Sequence, residues 1–99
     1  MIVMFSARRL KPGSWDQFHR AWEGDGNPPP GLQRGYHARN VRDEDEVISF
    51  GIFDMTEADY RKWRGDADAS ENSRIDALSA FVENDHVSGV YEVIDTVED

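Results

Sequence analysis

A chain of 99 residues has room for one domain, near the small end of what folds without staples, and its 38% apolar content with eleven aromatic residues is too high for a disordered chain. With no cysteine it has no disulfide framework, no thiolate nucleophile and no thiolate metal site, which fits a reducing compartment. The formal net charge of −9 argues against nucleic acid, whose phosphates are bound mainly by Lys and Arg, and the acids are scattered as on a solvated surface.

The opening MIVMF is too short for a signal sequence, and Arg8 and Arg9 follow it rather than precede it. No apolar run approaches the roughly 20 residues that span a bilayer, so the expectation is a cytoplasmic protein with no membrane partner. Residues 2–9 read as a strand covered on both sides, with Ile2, Met4, Ser6 and Arg8 on one face and Val3, Phe5, Ala7 and Arg9 on the other. Lys11-Pro12-Gly13 breaks it. Ser14 with Gln17 three residues on fits a capping box, and Trp15, Phe18, His19 and Trp22 form one helical stripe that Gly24 closes.

Residues 25–31, DGNPPPG, read as a stiff extended connector. A second strand is expected over 32–41, an acidic turn over 42–46 and a third strand over 47–54. So short a polar connection implies an antiparallel hairpin. The third strand is apolar on both faces and runs into a helix in the stretch VISFGIFDMTEADYRKW, residues 47–63. Thr56 and Asp59 there resemble a capping box, Tyr60 and Trp63 share one helical side, and Gly65 is expected to interrupt the helix. A further helix is expected over 70–82, with Ile75, Leu78 and Val82 on its apolar stripe. Asn84-Asp85 then leads to a last strand over 87–94 and a frayed acidic tail.

The order βαββαβ, with the second crossover split into two helices, suits an α+β ferredoxin-like plait with a four-stranded antiparallel sheet, one domain over 1–99. Helices cover one face of such a sheet. The second apolar face of strands one and three therefore calls for another sheet, and a homodimer is the physical expectation.

The opening strand ending in Arg8-Arg9-Leu10, the passage ISFGIFDMTEADYRKW and the closing VYEVID give the whole chain a resemblance to the antibiotic-biosynthesis-monooxygenase-like family, of the dimeric α+β barrel superfamily. That resemblance implies the dimeric barrel and a range of activities: cofactor-free monooxygenases of aromatic polyketides, heme-degrading enzymes, and proteins with no assigned activity. The heme-degrading members use an Asn late in strand one, a Trp in the second crossover helix and a heme-ligating His beyond it. Those positions fall on Arg8, Trp63 and Arg74, so only the Trp matches, and loss of the axial ligand argues against heme degradation. The quinone-forming members pair a Trp with Asn or Arg donors around a flat phenolic substrate, whose own carbanion reacts with oxygen while the donors stabilise the oxyanion.

On that resemblance Trp63 and Arg74 are candidate catalytic residues, Arg8 a candidate substrate-binding one, and no cofactor is required. His37 joins the catalytic candidates as a histidine of ordinary pKa fit for a general base, and Tyr60 and Tyr36 join the substrate-binding ones. The plainer alternatives stay open. Trp63 with Tyr60 reads equally as core, Arg74 as the partner of Glu71 or Asp76, and His37 as a hydrogen-bonded strand residue at a sheet interface. His19 reads as helix packing and His86 as an exposed loop residue. The three histidines lack metal-ligand spacing, and no phosphate loop or nucleophile elbow is present. Two functions follow: a cofactor-independent oxygenase acting on a flat aromatic molecule, or a non-catalytic small-ligand binder on the same scaffold.

Overall fold

Two rows of apolar residues, one on each side of the central strands, organise the molecule, and only one of them is covered by helices. The computed structural model describes residues 1–24 and 28–98, and the side chains of all of these except 68–70. Its elements are β1 (Ile2–Leu10), α1 (Trp15–Glu23), β2 (Leu32–Asn40), β3 (Asp43–Phe53), α2 (Glu57–Asp66), α3 (Asp68–Ser79) and β4 (Val82–Glu92). The strands form one sheet in the order β2-β3-β1-β4, with every neighbouring pair antiparallel. This is the ferredoxin-like plait expected from the element order.

The covered side carries the core. Leu10, Phe18, Val47 and Leu78 are buried together, with Trp15, Trp22, Phe81 and Val82 packed around them. A second cluster joins Ile2, Phe53 and Met55 with Met4 and Tyr60. Phe18 has no exposed surface at all, and burying a side chain of that size contributes about 1.5–3 kcal/mol. It pins α1 to the sheet.

The opposite face has no helix over it. There Tyr36 stacks on Phe50 at 5.0 Å between ring centroids and Phe5 lies 6.3 Å from Phe50 on the next strand. The row ends at Gly89, above which the Tyr91 ring folds so closely that an added Cβ would meet it at 2.7 Å. Tyr36, Val87 and Tyr91 are between 43% and 47% exposed.

Several local expectations are corrected. Ser14 makes no side-chain cap; its hydroxyl instead donates to the carbonyls of Lys11 and Phe81, tying the start of α1 to the link between α3 and β4. The hairpin turn is confined to Val41 and Arg42, because Asp43 enters the strand and pairs with Arg9. The Thr56–Asp59 capping box is present, with both reciprocal bonds at 3.1 Å. Gly65 does not stop α2, since a solvent-facing glycine costs only about 1 kcal/mol in a helix. Ile75 is 47% exposed, so the stripe of α3 is narrower than expected. β4 starts at Val82 rather than 87, because Asn84 and Asp85 pair with Arg9 and Arg8 across a bulge. Positions 25–27 of the expected stiff connector lie outside the described residues. Among the described residues no helix is long and apolar enough to cross a membrane.

Candidate functional site

The side chains with chemistry gather on the helix-covered face, beneath α1. A single cross-strand row there is polar: His37 on β2 faces Ser49 on β3, which faces Ser6 on β1, which faces Ser88 on β4. Ser49 and Ser6 are buried. The antiparallel register puts them in line, and hydrogen bonds stabilise the row. His37 Nδ1 lies 2.7 Å from Ser49 Oγ, and Arg8 donates to Ser6 Oγ at 2.6 Å.

Aromatic rings enclose His37. Trp22 meets it edge to face at 4.6 Å between centroids, Trp15 at 5.3 Å and His19 at 5.4 Å, while His19 stacks on Trp15. His19 Nε2 in turn sits 3.1 Å from Glu23. Burial pushes the His37 imidazole below its ordinary value near 6.5, and His19 and Arg8 push the same way against Glu23. At neutral pH it is an uncharged base.

The two arginines expected near a ligand are held by the protein itself. Arg8 donates to Asp85 at 3.0 Å and lies 5.7 Å from the Phe18 ring centre. Burial lowers its pKa, Asp85 opposes that, and Arg74 adds repulsion. Arg74 donates twice to Glu71, at 3.0 and 2.9 Å, once to the Trp22 carbonyl at 3.1 Å, and rests over the Trp22 ring at 5.3 Å. It fastens the last turn of α1 to α3. Both arginines sit where donors to a substrate were expected, with several donors already engaged.

Trp63 and Tyr60 are elsewhere. Their rings are 6.1 Å apart on α2, with Tyr60 against the second core cluster. Trp63 lines a cavity of 390 Å³ with Pro30, Gly31, Asp54, Met55, Asp59, Lys62 and Asp66. A second cavity, of 230 Å³, is lined by Trp15, His37, Ala38, Arg39 and Val47. No described residue lines both. Tyr36 is on the open face, away from either. So the six candidates divide three ways: His37 and Arg8 beneath α1 with Arg74 beside its last turn, Trp63 and Tyr60 on α2, and Tyr36 across the sheet.

Sequence patterning did not single out Trp15, Trp22, Ser6, Ser49 or Arg39 as parts of a site. A serine in the middle of the apolar run VISFGIF was the available signal, since a buried hydroxyl needs a partner. Among the described residues no group of three His, Asp or Glu side chains is placed to hold a metal ion.

No protein-family model and no curated protein matches the sequence. Solved structures do match in fold. A variant of SnoaB, a cofactor-independent oxygenase from Streptomyces nogalater, superposes with a TM-score of 0.72 at 13% identity, covering 99% of this chain and 97% of its own. A protein from Deinococcus radiodurans, provisionally named an antibiotic biosynthesis monooxygenase, gives 0.72 at 10% identity over 100% and 98%. An uncharacterised NIPSNAP domain protein from Burkholderia xenovorans gives 0.66 at 15% identity, with 100% of both chains covered. Likeness at these identities concerns the backbone and leaves the chemistry to the site. The chain has the α+β plait of the antibiotic-biosynthesis-monooxygenase-like proteins.

Proposed function

We propose that this chain forms a homodimer through its open sheet face and acts as a cofactor-independent oxygenase on a flat aromatic or quinone-like molecule bound beside His37. The observation that carries this is His37 itself: a neutral imidazole, fixed by Ser49 at 2.7 Å and walled by two indole rings. In the tautomer that donates Nδ1–H to Ser49, Nε2 is the basic nitrogen. It would take a proton from an acidic ring CH or OH of the substrate. The resulting carbanion passes electrons to oxygen, and a CH₂ group plus O₂ becomes a carbonyl plus water. The nearby Arg8 charge stabilises the anion that forms. Arg74 acts at one remove, by holding Trp22 in place. The shared fold with SnoaB supports the reaction class.

The dimer rests on the aromatic row Tyr36–Phe50–Phe5 and its neighbours, a half-exposed apolar surface of the kind that marks a protein interface. The expected place of the protein is the cytoplasm.

A non-catalytic ligand-binding barrel is the second reading, favoured by the engagement of Arg8 and Arg74 with internal partners. Oxygen consumption with a hydroxylated anthrone separates the two. The oxygenase takes up one O₂ per anthrone, His37→Ala lowers kcat by about 10²–10⁴-fold, the usual contribution of a general base, and Trp63→Ala lowers it less. Uptake no faster than in buffer alone would remove the enzyme reading. Uptake lost in Trp63→Ala and kept in His37→Ala would move the site to the α2 cavity.

A further inference from the structure

Arg39 is a strand residue whose side-chain charge the fold leaves unused. It stands two residues from His37 on the same face of β2 and lines the 230 Å³ cavity with Trp15, His37 and Val47. In a chain with 20 acidic residues, the Arg39 guanidinium makes no hydrogen bond or ion pair with any described residue. Arg8, Arg9, Arg61 and Arg74, by contrast, each hold a carboxylate.

We infer that this cavity is an anion subsite, in which Arg39 holds the carboxylate or phenolate of a small aromatic acid whose ring packs against Trp15 and Val47. The inference deepens the proposed function by naming the charge of the ligand, and it rests on the aromatic-ligand reading. Three physical features converge on it. A guanidinium offers a planar pair of donors that matches a carboxylate, which an exposed lysine would not. Trp15 and Val47 supply the apolar wall that an aromatic ring needs and a bare inorganic anion does not. The volume lies below the roughly 300–1,000 Å³ of sites for drug-sized ligands, so the occupant is a small, flat ring system. His37 is within the same wall, which places the bound ring next to the base.

The other cavity has the opposite character. Asp54, Asp59 and Asp66 surround Trp63 there, with Lys62 as the one cation among its lining residues. An aromatic anion is repelled by it.

The test is isothermal titration calorimetry of the intact protein with two probes of equal shape, 2-naphthoate and neutral 2-naphthylmethanol. Wild type is expected to bind the naphthoate about tenfold more tightly, the worth of a charge-assisted hydrogen bond at a partly solvated site. Arg39→Ala removes that preference, leaving the two probes equal. Its thermal midpoint stays at the wild-type value, because Arg39 has no structural partner to lose. Trp63→Ala keeps the preference, and acetate in tenfold excess does not displace the naphthoate. Equal binding of the two probes to wild type would overturn the subsite. So would failure of both to bind, a preference that survives Arg39→Ala, one that disappears in Trp63→Ala, or displacement by acetate. Oxygen uptake is scored separately: naphthoate selectivity without anthrone oxidation retains the subsite and rejects the oxygenase.

Discussion

Two neighbouring rows of the same sheet have exchanged their usual places. His37–Ser49–Ser6 is polar and lies under the helices, with Ser88 at its exposed end, whereas Tyr36–Phe50–Phe5, one residue away on each strand, is aromatic and faces outward. A monomeric α+β domain ordinarily buries the apolar row and wets the polar one. The covered row tolerates its polarity because hydrogen bonds satisfy His37, Ser49 and Ser6, and it holds an imidazole and the Arg8 guanidinium in a protected space. The outer row has no such compensation within one chain. Under the proposed function the inversion separates two tasks: chemistry inside, association outside.

The largest effect is expected where the covered face is held shut. Phe18→Ala removes the fully buried ring that seats α1 over the polar row, and should cost about 3–5 kcal/mol in urea unfolding. A loss below about 1 kcal/mol would mean that α1 is not anchored there. Next is the clamp between α1 and α3. Arg74→Ala strands Glu71 and the Trp22 carbonyl, and should destabilise by about 2 kcal/mol while shifting the Trp22 indole N–H signal in NMR. Thr56→Ala lies outside both rows and removes only the α2 cap. It should cost about 1 kcal/mol, with oxygen uptake unaltered per folded molecule.

The smallest effect is a pH dependence. His37 is depressed by burial, by His19 and by Arg8, with Glu23 opposing, so the unfolded chain takes up its proton at higher pH than the folded one. Stability tied to this group is therefore fully present above its unfolded value near 6.5 and is lost as pH falls through the lower folded value. His37→Gln should flatten that acid limb in denaturation curves recorded at successive pH values. An unchanged limb would place His37 outside the desolvated row.

Much of this was legible in the residues. Apolar alternation in IVMFSARR and VISFGIF, the short acidic link between 41 and 47 and the TEAD cap foretell the strands, the hairpin and α2, because each is a local signal. The errors cluster where a distant partner decides. Asn84 and Asp85 resemble a turn until β1 presents Arg9 and Arg8 to them, and Asp43 resembles a loop until Arg9 reaches it. The site was less legible than the fold for the same reason. His37 meets Ser49 only through the hairpin register, and meets Trp15 and Trp22 only through the packing of α1. Nor does sequence reveal that Arg74 points at Trp22 and Glu71 while Trp63 lines a different cavity.

The inversion of the two rows has one direct test, the mass of the particle in solution. Sedimentation velocity at micromolar concentration should give a dimer for the wild-type chain. Phe50→Glu, which sets a charge in the middle of the outer row, should give a monomer with unchanged far-ultraviolet circular dichroism. A wild-type monomer at that concentration, or a Phe50→Glu dimer, would contradict association through the open face.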